Sequence, residues 1–241
     1  MNPAVDSANR TQILNGIRRS LRRGELAGEE RRAVEQRLAA PPRGPAVARA
    51  ALPPSEKVAL FCQWAEANNA SVAHVTAADV PAEVVAYLVR NNLPAQAAIA
   101  PSSQLDAYDW ASQKMLALRR GRGEAGDQVS ITGAFAALAE TGTLVMTSGP
   151  DHPVTLNLLP ETHIVVLREA DIVGGYEEVW DRLRQRYGKG RLPRTVNTIT
   201  GPSRTGDIEQ TIELGAHGPR RIHILVVREP LVVRERLVVR E

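Results

Sequence analysis

The chain has 241 residues, of which 43% are hydrophobic, 24% charged and 4% aromatic. This is the composition of an ordinary folded protein, which excludes a disordered chain, and the length suffices for a large hydrophobic core. Thirty basic residues against 27 acidic ones give a net charge of +3, which by itself gives no support for nucleic acid as a partner.

The use of cysteine and the hydropathy pattern limit the compartment and the cofactors. Cys62 is the only cysteine, which excludes an internal disulfide and any cysteine-rich zinc or iron–sulfur site built by this chain alone. No apolar run approaches the roughly 20 residues of a membrane helix, and the first thirty residues contain no hydrophobic signal core. We therefore expect a cytoplasmic protein that is neither exported nor inserted in a membrane.

The chain begins with a charged, arginine-rich segment. Ile13, Ile17 and Leu21 recur at helical spacing, so residues 8–38 predict one or two helices. Residues 39–45 are rich in proline and predict a hinge. We predict three parts: a helical arm and hinge over residues 1–45, an α/β domain over 46–229, and a tail over 230–241. The tail derives from a six-residue repeat to which we assign no chemistry.

The body alternates apolar strand patterns with helical ones, which indicates the α/β class with a mainly parallel sheet covered on both faces. Helices are expected after a cap at Ser55 and over residues 81–90, 133–139 and 176–187. A glycine- and charge-rich stretch, residues 119–127, is interpreted as a mobile loop with solvated arginines. The predicted strands are residues 71–76, 97–100, 129–132, 143–146, 163–167, 195–200 and 222–227.

Residues 201–209 combine a sharp turn with hydroxyl and guanidinium groups. Ser203 and Thr205 are candidate N-caps of a following helix, with Asp207 and Glu209 in its first turn. A cap alone does not need the positive charge of Arg204 at that position. The segment therefore has two interpretations, a simple helix cap or a cradle for a phosphate or carboxylate at a helix N-terminus.

Two further motifs carry groups suited to proton transfer. Glu140-Thr141-Gly142 places a carboxylate, which in a cleft is a candidate base, nucleophile or hydrogen-bond acceptor, at the end of the predicted small-residue helix. Its alternative is an exposed helix end with Gly142 as the left-handed cap. His217 stands between two glycines, either idle at the surface or at the mouth of a site. His163 is expected in the core, and no Gly-x-Gly-x-x-Gly follows a strand, so a nicotinamide site has no support.

Taken in order, these motifs resemble the LUD-domain family, and within it the lactate-utilisation protein C group. Gly206 stands where the family usually has alanine, and the repeated tail is not a family feature. The resemblance implies a NagB/RpiA/CoA-transferase-like fold of the Rossmann-type layered kind. It also implies a role in oxidising L-lactate to pyruvate alongside partner subunits that carry iron–sulfur clusters, with no cofactor on this chain. The matching segments are residues 139–145, 158–164, 201–209 and 215–219.

Three hypotheses of function follow. In the first, the chain is a non-redox subunit of a lactate-oxidising complex, and Thr141, Gly142, Ser203, Arg204 and Thr205 bind a small carboxylate or phosphate. Glu140 and His217 are the candidate catalytic groups of the same pocket. In the second, it is a free-standing enzyme of the phosphosugar-isomerase or CoA-transferase type with Glu140 as base or nucleophile. In the third, it is a scaffold whose arginine-rich arm binds the cluster-bearing partner.

Overall fold

The structure is a computed structural model that describes residues 3–45, 47–206 and 213–228. The chain divides into two compact units, Met1–Gly44 and Pro45–Glu241. The repeated tail from residue 229 onward lies outside the described residues. In the described part of the chain, no helix is both long enough and apolar enough to cross a membrane.

The first unit contains two helices, α1 (Pro3–Ser20) and α2 (Gly28–Ala39), as the sequence predicts. Their apolar side chains are largely solvent-exposed: Ile13 has 64% of its surface exposed and Ile17 50%. Acidic residues in the first turn of α2 and Arg37 in its last turn complement the helix dipole. The charges therefore support the helices, while an apolar surface stays open on α1.

The second unit is built on a six-stranded sheet in which all neighbouring strands are parallel, in the order β1-β12-β7-β4-β2-β3. A four-stranded sheet in the order β8-β5-β6-β9 packs beside it, and β10 pairs with β11 in a hairpin. The predicted α/β class with a mainly parallel sheet is confirmed. The strands are β1 (Ser71–Thr76), β2 (Gln96–Ile99), β3 (Ala117–Arg120), β4 (Val129–Gly133), β5 (Ala136–Leu138), β6 (Thr143–Thr147), β7 (Thr162–Arg168), β8 (Ile172–Val173), β9 (Val196–Ile199), β10 (Arg204–Thr205), β11 (Glu213–Leu214) and β12 (Arg221–Arg228).

Alternating side chains of the parallel strands face two separate cores. On β7, Ile164 and Val166 pack in the core shared with α4, whereas Val165 and Leu167 pack in the core shared with α3 and the small sheet. Burial on both faces explains why β7 is apolar from Ile164 to Leu167. The helices of this unit are α3 (Pro54–Ala67), α4 (Val80–Arg90), α5 (Ser103–Asp106), α6 (Thr155–Leu158) and α7 (Tyr176–Tyr187).

The predicted helix over residues 133–139 is wrong. Gly133 ends β4, and Ala136–Leu138 form β5, which pairs with β6 and β8. Ala137 faces the core with α3, whereas its neighbours Ala136 and Leu138 face the core with α7. Because the segment is buried on both sides, sheet pairing outweighs the helix propensity of its alanines.

Two smaller expectations also need correction. Helix α3 begins at Pro54 with Pro53 in the cap position, so Ser55 is not the cap; proline suits the first turn because its missing N–H would have no partner there. The arginines after residue 118 are not simply solvated, since Arg119 forms ion pairs with Asp127 and with Glu124. Arg119 and Arg120 end the edge strand β3, so the predicted loop over residues 119–127 begins only after Arg120.

Candidate functional site

Glu140 lies two residues after the end of β5, where the chain turns back toward β6. Its backbone N–H donates to the carbonyl of Gly174 at 3.1 Å, and 8% of the residue is exposed. The carboxylate packs over Gly175, where a β-carbon would lie 3.1 Å from Oε1 of Glu140. The sequence correctly placed Glu140 at a turn, but that turn follows a strand rather than a helix.

Gly142 completes this turn in the left-handed region, with φ +67°. Its N–H donates to the carbonyl of Leu138 at 2.9 Å. A β-carbon would lie 2.4 Å from the backbone nitrogen of Ala65 and 2.5 Å from the carbonyl carbon of Trp64. Conformation and close packing against the end of α3 therefore both require glycine here.

Hydroxyl groups connect this turn to the end of β9. Thr143 Oγ1 lies 2.7 Å from Thr141 Oγ1 and 2.7 Å from Thr200 Oγ1. The Asn68 amide donates to the Thr141 carbonyl at 3.4 Å. Residues 140–143 are thus joined to the start of the segment that carries Arg204.

Ser203 fixes the base of the β10–β11 hairpin. Its N–H donates to the carbonyl of Pro219 at 2.9 Å, and its carbonyl accepts from the N–H of Gly215 at 2.9 Å. The N–H of His217 donates to Oγ of Ser203 at 3.3 Å. Two sequence motifs that are more than ten residues apart therefore meet at Ser203.

The helix does not start directly after Ser203, and a helix capped by Thr205 would lie on residues 207–212, outside the described residues. Arg204 and Thr205 form β10 and pair with Leu214 and Glu213. Because residues 204–205 are extended, Ser203 is not an N-cap. The first-turn acids Asp207 and Glu209 lie outside the described residues.

The predicted site residues form two groups. Glu140, Thr141 and Gly142 lie at the β5–β6 turn, whereas Ser203, Arg204 and Thr205 lie at the hairpin with His217. Arg204 and His217 are exposed. Between residues that the structure describes, no hydrogen bond or ion pair joins Glu140 to Arg204 or His217, and their joint action stays a prediction.

A cavity that the motifs did not indicate lies at the opposite end of the small sheet, at the carboxyl ends of β2 and β4. It has a volume of about 640 Å³. Its walls come from separate stretches of the chain near Gln104, Gly133, His152, Asp171 and Arg186. The sequence indicated this cavity only in a general way: it predicts a mainly parallel sheet, and parallel sheets bind ligands beyond the carboxyl ends of their strands. We call this cavity the carboxyl-end crevice.

An acidic group organises the arginines on one wall of the crevice. Asp171, 8% exposed, accepts from Arg168 at 2.7 and 3.1 Å and from Arg182 at 3.3 Å. The guanidinium of Arg182 also donates to the carbonyl of Ala170 at 2.9 Å. These contacts hold the two arginines in fixed positions.

Neutral histidines lie on the other wall and behind it. Burial, together with a smaller effect of the nearby His152, lowers the pKa of His163 to about 3. Burial also lowers the pKa of His152, opposed by Asp151 and by the Asn157 amide beside it. His163 Nε2 lies 2.7 Å from Thr132 Oγ1, as expected of a core histidine. No group of three His, Cys, Asp or Glu suited to a metal ion occurs among residues 3–45, 47–206 and 213–228.

Comparison with known proteins agrees with the α/β fold. A crystal structure of a DUF162 family protein from Deinococcus radiodurans superposes with a TM-score of 0.57 at 26% identity, covering 73% of this chain and 99% of that chain. The family model described as LUD domain matches residues 58–227. The chain belongs to the LUD-domain family, which confirms the resemblance.

Curated relatives of the chain include several proteins named Lactate utilization protein C. The one from Shouchella clausii (strain KSM-K16) is 35% identical over 99 residues, or 41% of this chain and 43% of that protein. The one from Bacillus subtilis (strain 168) is 32% identical over 130 residues, or 54% of this chain and 53% of that protein. The chain thus spans about half the length of the curated relatives that it matches.

Proposed function

We propose that this chain is a lactate-utilisation protein that serves as a non-redox subunit of a cytoplasmic system oxidising L-lactate to pyruvate. Membership of the LUD-domain family and the names of the relatives support the role. Iron–sulfur clusters in such a system belong to partner subunits, because clusters are held mainly by several cysteine thiolates and this chain has only the buried Cys62.

Within this role, we propose that the β10–β11 hairpin binds a small carboxylate or phosphate. The observation that carries the proposal is Arg204, an exposed guanidinium that has no ion-pair partner among the described residues. It follows Ser203, whose backbone and hydroxyl are fixed by three hydrogen bonds. A guanidinium on a fixed backbone can bind a carboxylate or phosphate through two parallel hydrogen bonds.

The neighbouring groups have complementary tasks in this proposal. The Ser203 hydroxyl accepts from the N–H of His217 and so keeps its own hydrogen for the ligand. Thr205 donates a second hydroxyl, and Thr141 and Gly142 shape the adjoining turn. Glu140 or His217 exchanges a proton with the bound molecule.

The test is calorimetric titration of the full chain with L-lactate, pyruvate and inorganic phosphate. Arg204→Ala is expected to weaken the affinity for whichever of these ligands binds by about tenfold or more, which is the effect of losing a charge-assisted hydrogen bond. Arg191→Ala is the matched control, since it removes one exposed arginine from a loop outside the hairpin. Equal binding by the wild type and Arg204→Ala would eliminate the anion site at the hairpin. The subunit role is tested separately, by co-purification of the chain with the cluster-bearing partners.

A specific observation favours each alternative function. The nearly buried Glu140 makes no side-chain hydrogen bond or ion pair with any described residue, so its carboxylate is free to act as base or nucleophile of a free-standing enzyme. Turnover by the isolated chain that disappears in Glu140→Gln would support this enzyme.

The open apolar surface of α1, with Ile13 and Ile17, favours the scaffold. Loss of co-purification after deletion of residues 1–40, with Arg204→Ala unchanged, would support it.

A further inference from the structure

The carboxyl-end crevice lies where the direction of the sheet connections changes. After β2 the chain goes outward to its neighbour β3, whereas after β4 it goes in the opposite direction to β7. The loops that leave β2 and β4 therefore diverge, which is the arrangement that creates ligand crevices in open α/β sheets. The volume of about 640 Å³ lies within the range of small-molecule sites.

Buried polar atoms without hydrogen-bond partners are concentrated at this crevice. Nε2 of Gln104 and Nε2 of His152 lie in its wall, and both have no partner among the described residues. Next to His152, the amide of Asn157 is 1% exposed and also lacks partners at both its nitrogen and its oxygen. His163, fully buried near His152, has no partner at Nδ1.

The clustering of unpartnered polar atoms at the crevice indicates a ligand, because buried polar atoms in native proteins almost always have hydrogen-bond partners. Elsewhere in the described chain, the same condition applies only to Thr162 Oγ1 and His223 Nε2. A core that needed no ligand would be more stable with apolar groups at these positions. The inner part of the crevice therefore offers both donors and acceptors to a molecule that brings its own polar groups.

The inner groups and the mouth differ in charge. Burial lowers the pKa of both His152 and His163, so at neutral pH their imidazoles are uncharged and suit hydroxyl or carbonyl oxygens. At the mouth, Arg186 is exposed and has no ion-pair partner in the described chain. Three arginines and two aspartates line the crevice as a whole, which leaves one positive charge in excess.

We propose that the carboxyl-end crevice binds a small hydroxylated anion, with its acid group at Arg186 and its hydroxyl or carbonyl oxygens at Gln104 and His152. Asn157 and His163 lie next to His152, and both have unpartnered side-chain atoms. The site is separate from the Arg204 hairpin, because the two lie at opposite ends of β6. Thr147 lies four residue steps along the strand from Thr143, a distance of about 13 Å. The inference thus goes beyond the proposed hairpin site and does not depend on it.

The test titrates the full chain with glycerate, gluconate, glycerol 3-phosphate and uncharged glycerol. Binding of glycerate or gluconate identifies the acid group as a carboxylate, and binding of glycerol 3-phosphate alone identifies it as a phosphate. Arg186→Ala is expected to weaken the affinity for the anion that binds by about tenfold. The control Arg184→Ala removes the same charge from the same helix, but Arg184 pairs with Asp181 and does not line the crevice, so binding should be unchanged. Arg204→Ala should leave the Arg186-dependent part of the binding unchanged, which separates this site from the hairpin.

A second variant distinguishes a ligand-binding amide from a structural one. Gln104→Met keeps the length of the side chain but removes the unpartnered amide, so the melting temperature without ligand should be equal or higher while binding weakens about tenfold. A lower melting temperature with unchanged binding would overturn the proposal. So would the absence of binding of every charged probe up to about 10 mM, or equal binding by the wild type and Arg186→Ala.

Discussion

Gly142 gives the sharpest test of how the Glu140 turn is built. In Gly142→Ala, the new methyl group meets two obstacles. The backbone has φ +67°, which side-chain-bearing residues rarely adopt, and the β-carbon would lie 2.4 Å from the backbone nitrogen of Ala65. That nitrogen belongs to α3 and cannot move as the tip of a flexible side chain could. Both obstacles are properties of the folded state, so we expect a loss of stability.

The structure provides a control that separates the two obstacles. Gly190 has a similar φ of +71°, but no atom lies within 4 Å of the position that a β-carbon would occupy there. The left-handed conformation costs about 1–2 kcal/mol for a residue with a side chain, partly offset by a less flexible unfolded chain. Gly190→Ala should therefore lose about 1 kcal/mol. Gly142→Ala adds overpacking against α3, about 1–3 kcal/mol more, for a total of about 3 kcal/mol.

The assay is thermal and urea unfolding of both variants, followed by circular dichroism. For a protein of this size, a loss of about 3 kcal/mol corresponds to a fall of about 6–12 °C in melting temperature. If Gly142→Ala and Gly190→Ala lose the same stability, the close packing of the turn on Trp64 and Ala65 does not exist in solution.

Two further predictions concern buried titratable groups. The pKa of His163 is about 3 in the folded protein against an ordinary 6.5, so only the unfolded chain takes up this proton as the pH falls below 6.5. The free energy of unfolding should consequently fall between about pH 6.5 and pH 3, with about 2 kcal/mol lost at pH 5. Urea unfolding of His163→Leu should lack this loss of about 2 kcal/mol. If the variant and the wild type lose the same stability between pH 7 and pH 5, His163 does not have the lowered pKa. Burial raises the pKa of Cys62 from 9.0 to about 11, which leaves roughly a hundredfold less thiolate at pH 8. Native Cys62 should accordingly react with an aromatic disulfide reagent at least about a hundredfold more slowly than the unfolded chain, and rapid labelling of the native protein would disprove its burial.

The elements that the sequence predicted well are those with local causes. Residues 71–76 form β1 with the predicted bounds, and the apolar run at 163–167 lies within β7. Such runs are too short for helices and are bounded by turn residues, so few structures remain possible for them. The prediction failed at 133–139, where small residues favour a helix in isolation but non-local pairing with β6 and β8 determines the structure.

The candidate site was predictable only in part for a related reason. The contact of Ser203 with His217 brings two predicted motifs together, although nothing in the sequence indicates that their link is a hairpin. The crevice was beyond prediction, because its walls come from distant segments that meet only after the sheet has formed. The unpartnered atoms of Gln104 and Asn157 are likewise invisible in a sequence, since a partner's absence is a property of three-dimensional packing.

Strand β6 has a polar group of residues at each end and an apolar centre. Leu144, Val145 and Met146 are at most 1% exposed, so the strand contributes core packing between the hydroxyl groups at Thr143 and the crevice at Thr147. Substitutions that are about 10 Å or more apart and share no contacts usually have additive effects on free energy. The small sheet therefore lets the chain change its chemistry at one end without rebuilding the other, which makes the two ends separate units of evolutionary change.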